Sequence, residues 1–171
     1  PNSMVDCIVP ATGPTEIALA QSMGIADAAP VTHENFRQWV IEDSFCAGRP
    51  DWDRVGATFS HQVHDFEAQK IRILNAGHQI IAAAAEVMGL DTVADDMAHE
   101  TLAAFFEKVE REEIVPHVSA APGMTPSDYV ALVARRFGNT AIGDTIRRIA
   151  FDGGSRHPGF VLPTLRDALA A

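Results

Sequence analysis

Residues 67 to 79 read EAQKIRILNAGHQ, which sets a lysine, an asparagine and a histidine into an otherwise apolar run. On an α-helix at about 100° per residue, His78 lies roughly 80° around from Lys70 and Asn75 about 140°, all within ~12 Å along the axis. One helix can therefore present the three together. A lysine desolvated on such a face loses its proton near neutral pH and can act as a general base, while amide and imidazole groups hold an oxygen. That equipment moves a proton at an alcohol or a carbonyl. Exposure is the usual fate of such residues, so periodicity by itself favours a bland stripe, with Lys70 solvated and Asn75 and His78 satisfied in packing.

Glu67 stands one helical turn before Lys70. The plain reading is a surface ion pair worth about 0.3 to 0.5 kcal/mol; the chemical one is a proton relay between Lys70 and water. A carboxylate so near raises a lysine pKa, so burial would have to win for Lys70 to work as a base. Histidines 61 and 64 in HQVHDFE find no HExxH or paired-cysteine pattern to complete three or four convergent ligands, and no metal is expected. His99 and His117 are read as surface residues. The segment DGGSRHPG, residues 152 to 159, is read as a loop and is neither GxGxxG nor GxxxxGK[ST]. Arg148 and Arg156 flank it, either as solvated charges or as donors to hydroxyls or a carboxylate in a polar pocket.

The elements that must position these groups are mostly helical. A helix is expected from Pro14 to a stop at Gly24, and a short one around His33 to Glu42. The SFCAGRPDWD loop and the strand candidate VGATF come next. Residues 62 to 88 form the longest helical pattern, closed by Gly89, with the run AAAA at 82 to 85 allowing a neighbouring helix to approach closely. HETLAAFFEKVEREEIVPHV keeps three- and four-residue apolar spacing as far as Pro116. Thr125 and Pro126 open a further helix that Gly138 and Asn139 close; AIGDTIRRIAFD and LRDALA supply the last two. The expected architecture is mainly α, multi-helical, with at most a small β element.

With 171 residues and 47% hydrophobic content, the chain suits one globular domain. Its net charge of -10 repels phosphate backbones, so nucleic acid is not an expected partner. No apolar run reaches the ~18 to 20 residues of a membrane span, and the first residues lack the pattern of a signal peptide. Cys7 and Cys46 have no metal or redox spacing and are read as thiols of a cytoplasmic protein.

Four stretches together carry a resemblance: PNSMVDCIVPAT, FRQWVIEDSFCAGRPDWDRVGATF, FEAQKIRILNAGHQ and RFGNTAIGDTIRRIAFDGGSRHPGFVLPT. They resemble the long-chain, metal-independent mannitol dehydrogenase family of polyol dehydrogenases and hexuronate reductases. The resemblance implies a two-part NAD enzyme whose Rossmann-like cofactor domain is absent here, residues 1–171 matching its helical C-terminal domain. It implies Lys70 as general acid/base, Asn75 steadying the substrate oxygen, His78 orienting the substrate and Glu67 relaying protons. Asp6, Arg148 and Arg156 match positions that grip polyol hydroxyls.

The implied partners are a small polyol or ketose, such as D-mannitol or D-fructose, and the chain's own Rossmann-like domain; no metal and no membrane are implied. Cys7 stands where the family often has arginine, and HQVHDF replaces a more usual acidic and aromatic run. LNAGH looks more like the mannitol branch than the uronate reductases. A hexuronate reductase and a non-catalytic helical binding domain are the competing readings.

Overall fold

A computed structural model describes residues 1–9 and 13–171; Pro10 to Thr12, the end of PNSMVDCIVPAT, lie outside the described residues. Strand β1 (Ser3–Asp6) turns Met4 and Asp6 inward and Ser3 and Val5 outward, the two-residue alternation of a half-buried strand. Helix α1 (Pro14–Ser22) starts on its proline, and Gly24 at φ 75° takes up the left-handed turn just beyond its end.

Strand β2 (Gln38–Glu42) replaces part of the helix expected over 33 to 42. Trp39, Val40 and Ile41 are aromatic and β-branched, and pairing to β1 on one side and β3 (Thr58–Ser60) on the other decides the outcome. The sheet order is β1-β2-β3, antiparallel at the first pair and parallel at the second. Its inner face buries Met4 and Val40 against Val63, Phe66 and Ala121.

The long helical pattern is present with one departure from regular geometry. Helix α2 (Val63–Gln69) passes without a break through a π-helical stretch, Lys70–Asn75, into α3 (Ala76–Met88). Gly89 at φ 72° closes α3, with the Leu90 N–H donating to Ala85 O at 3.0 Å. Helix α4 (Val93–Ala98) is capped by Thr92, whose hydroxyl accepts from the Asp95 N–H. Helix α5 (Glu100–Val109) continues into a second π stretch, Glu110–Ile114, and α6 (Pro126–Phe137) is capped by Thr125. His99, expected at the surface, has its Nδ1 buried at the junction of α4 and α5.

Helix α7 (Ile146–Ala150) is shorter than AIGDTIRRIAFD predicted, because Gly143 turns left-handed at φ 62° and Thr145 provides the cap. The DGGSRHPG segment is helix α8 (Gly153–Phe160), not a loop. Asp152, at φ 60° and accepting from the Ser155 hydroxyl at 2.6 Å, makes the sharp turn that starts it. Helix α9 (Leu162–Ala170) comes last. The main core gathers Ile73, Ile81, Ala85, Phe106, Val130, Val133 and Ile149 between α3, α5, α6 and α7. Ala85 is fully buried and Ala82 nearly so, the close helix approach expected of the alanine run. No described helix is long and apolar enough to cross a membrane.

Candidate active site

A cleft of about 330 Å³ opens where the end of β1, the π stretch, α3, α7 and α8 meet. Lys70, Asn75 and His78 line it from one side, Arg148 and Arg156 from another, and Asp6 with Cys7 from the strand end. Six of the seven residues singled out from the sequence thus share one cavity. Glu67 does not line it: the carboxylate is half-exposed and sits 3.2 Å from His64 Nδ1. No ion pair joins Glu67 to Lys70, and the Lys70 side chain makes no hydrogen bond or ion pair with any described residue. A groove of about 970 Å³ lies on the outer face of the sheet beside the stacked Trp39 and Trp52. Among its described lining residues only Arg37 is charged, so it lacks a pair of groups that could exchange a proton, and the smaller cleft is the candidate site.

The π stretch explains the convergence. Pairing i to i+5 puts more residues into each turn than the α-helix does, so residues five apart lie closer around the axis than on an α-helix. Lys70 and Asn75, splayed on a regular α-helix, are its first and last residues. His78 follows Asn75 by three residues, on the same face of α3.

His78 is 8% exposed, its ring lies 4.2 Å from that of Phe137, and its Nδ1 is buried with no partner among the described residues. Burial pushes its pKa down to about 4; Asp144 pulls it up, while Arg148, Arg136 and Arg156 push it further down. The imidazole is therefore neutral at physiological pH.

Arg148 is held by a bidentate pair with Asp144, Nε donating to Oδ1 at 2.6 Å and Nη2 to Oδ2 at 2.5 Å. This pair holds the arginine pKa above its ordinary value. Arg156 Nη1 donates to Ile149 O at 3.1 Å, which ties α8 back onto α7. Gln79 Nε2 donates to the same carbonyl at 3.0 Å, bracing α3 against α7 at the cleft floor.

Asp6 is fully buried and its two oxygens are already engaged. Oδ1 accepts from Arg136 Nη2 at 2.6 Å, and Oδ2 accepts from Arg136 Nη1 at 2.9 Å and from the Tyr129 hydroxyl. Arg136 also donates to both oxygens of Glu34, and its guanidinium stacks on Phe36. The Asp6 carboxylate thus carries a wall of the cleft through Arg136. Glu34, Tyr129, Arg136 and Asp144 were not anticipated from the sequence, because their partners lie 4 to 130 residues away and only the last pair, Asp144 with Arg148, falls at helical spacing.

Among the described residues no three His, Cys, Asp or Glu side chains converge as a metal site requires. The sequence has neither GxGxxG nor GxxxxGK[ST], and among the described residues no glycine-rich strand-to-helix turn is placed to cradle a dinucleotide pyrophosphate, so they do not fit that part of a nicotinamide cofactor. What the cleft offers is an uncharged imidazole, an amide, a lysine and two guanidinium groups around a space the size of a small polar molecule.

Two family profiles match the chain: the mannitol dehydrogenase Rossmann domain over residues 1–54 and the mannitol dehydrogenase C-terminal domain over residues 62–171. Among curated proteins it is 55% identical, over its whole length, to a mannitol 2-dehydrogenase of Cereibacter sphaeroides, covering 36% of that protein. It is 39% identical to a D-arabinitol 4-dehydrogenase of Ralstonia nicotianae, with 99% of this chain and 37% of the relative aligned. The chain thus spans about a third of the length of the curated relatives it matches. Among solved structures it is similar to Pseudomonas fluorescens mannitol 2-dehydrogenase in ternary complex with NAD and D-mannitol. The TM-score is 0.89 at 35% identity, over 99% of this chain and 35% of that one. With both profiles matched and the fold shared, the chain belongs to the mannitol dehydrogenase family.

Proposed function

We propose that residues 1–171 act as one unit, the substrate-holding part of a metal-independent, NAD-dependent polyol 2-dehydrogenase that interconverts D-mannitol and D-fructose. The observation that carries this reading is the meeting of Lys70, Asn75, His78, Arg148 and Arg156 in one cleft of a chain whose relatives are polyol dehydrogenases. NAD, bound by the rest of the enzyme, supplies the hydride acceptor.

Lys70 takes the hydroxyl proton as the alcohol carbon becomes a carbonyl carbon, and returns it when a ketose is reduced. Asn75 donates its amide N–H to the same oxygen and steadies the charge that develops there. His78, neutral and fixed against Phe137, orients the reacting carbon without adding a competing charge. Arg148 and Arg156 donate to the remaining hydroxyls. Glu67, outside the cleft and open to water, passes the proton between Lys70 and solvent.

The test is Lys70→Ala in the polypeptide carrying both family domains, assayed for NADH-dependent fructose reduction. A folded variant should lose about 10²- to 10⁴-fold in kcat, the usual worth of a positioned general acid or base. Equal rates in both proteins would remove Lys70 from the mechanism.

A further inference from the structure

Resting on the polyol reading above, we infer that Asp144 is a specificity-determining residue: by neutralising Arg148 it keeps the cleft for uncharged substrates and turns away carboxylates. Arg148 is the third residue of α7, and its N–H meets the Thr145 hydroxyl at 3.3 Å. Its side chain is 43% exposed toward the cleft, whereas the Asp144 side chain is 5% exposed behind it. The two bonds between them occupy Nε and Nη2 and leave Nη1 without a described partner. Arg148 therefore offers the cleft an N–H donor whose charge is already balanced.

A hydroxyl needs only the donor. A carboxylate must recover a large desolvation cost and needs an unbalanced cation to do so. Asp144 also stands close behind His78: the two residues and Ile8 line a void of about 10 Å³ at the back of the cleft, which brings the aspartate charge near the substrate. Arg136 lines the same void but adds no unbalanced charge for an anion, since Asp6 and Glu34 set two buried carboxylates against its single guanidinium. Lys70 and Arg156 line the cleft without a carboxylate partner among the described residues, Arg156 being drawn to the carbonyl oxygens of Ile149 and Arg148 at 3.1 and 3.4 Å, so Asp144 sets the charge balance at the Arg148 end of the cleft.

Asp144→Asn keeps the side-chain shape and one hydrogen bond to Arg148 while releasing its charge. In the polypeptide carrying both family domains, at low ionic strength, the binding of D-mannitol and of D-gluconate is measured by calorimetry. The expected result is that Asp144→Asn favours gluconate over mannitol by about tenfold or more relative to wild type. Adding Arg148→Gln to Asp144→Asn should return the ratio to the wild-type value or below.

A ratio unchanged in Asp144→Asn, with both ligands weakened in parallel, would make Asp144 a structural residue and overturn the inference. So would a wild type that already binds gluconate more tightly than mannitol. If Asp144→Asn does not fold, the charge-neutral double variant carries the test, and gluconate binding tighter than in wild type there overturns the inference. Because binding is read without turnover, a wild type inactive on fructose whose ligand preference still shifts would sink the dehydrogenase reading and leave the role of Asp144 standing.

Discussion

The protonation of single buried side chains is where this molecule departs most from ordinary chemistry. His78 has a folded pKa near 4 against an ordinary value of 6.5, so the unfolded chain takes up a proton on acidification before the native one does. Its stabilising contribution is complete above pH 6.5 and is lost as pH falls toward 4, roughly 3 kcal/mol over the window. Burial acts oppositely on two acids: it raises Asp96 to about 6 despite the opposing pull of His99, and raises Glu110 well above its ordinary 4.5 with help from Glu107. Those groups favour the folded state at low pH and partly mask the histidine. Comparing urea midpoints of wild type and His78→Asn from pH 7 to pH 4 isolates it. The wild type should lose stability relative to the variant across that range, and parallel curves would show that His78 is not held neutral.

At the scale of elements, the decisive feature is a long helix that widens for one turn. The two π stretches, Lys70–Asn75 and Glu110–Ile114, pack on one another, with Gly77 at the crossing. A Cβ on Gly77 would stand 2.9 Å from Phe106 Cε2 and 3.0 Å from Glu110 Oε1. Glu110 is fully buried and neither oxygen has a partner among the described residues, so it cannot swing to solvent without opening the core. Gly77→Ala should therefore cost about 1 to 3 kcal/mol of overpacking, more than the up to ~1 kcal/mol that alanine gains in a helix. Because Gly77 lies between Asn75 and His78, the proposed dehydrogenase activity of the polypeptide carrying both family domains should fall along with thermal stability. An unchanged melting temperature would mean that the crossing relaxes freely.

For the molecule as a whole, the buried cluster around Arg136 decides whether the N-terminal sheet and the helices behave as one body. Asp6 on β1 and Glu34 in the following connection meet a guanidinium carried by α6, and the Ile8 N–H adds a hydrogen bond to Glu34 at 2.5 Å. These contacts bridge the segments matched by the two family profiles. Arg136→Met keeps much of the side-chain volume but leaves two buried carboxylates unpaired, a loss of about 3 to 5 kcal/mol. Hydrogen exchange should rise first in residues 3 to 9 and 38 to 42. Uniform acceleration over the whole chain would show that the cluster supports the fold in general and does not fasten the sheet in particular.

The sequence by itself determined the helical character, the caps at Thr125 and Gly89, the close helix approach at Ala82 and Ala85 and the membership of Lys70, Asn75 and His78 in one helical run. These are local matters: propensity, punctuation and apolar spacing act within a few residues. It did not reveal that residues 38 to 42 are a strand, because a strand this short is fixed by partners at 3 to 6 and 58 to 60. Nor did it show that DGGSRHPG is helical, since Asp152 must first take a left-handed turn that a non-glycine residue seldom adopts.

The site divides in the same way. Its residue types were legible, but an α-helical spacing sets Lys70 and Asn75 apart, and only the packing of two helices at Gly77 accompanies the wider turn that draws them together. The charge state of the cleft combines one local contact, between Asp144 and Arg148 four residues apart, with a tertiary one. Whether Arg148 is a free cation depends on the fork that Asp144 makes with it, and whether Asp6 is a free carboxylate depends on an arginine 130 residues away. Coulombic and hydrogen-bonding energies depend on distance in space, and distance along the chain does not report it.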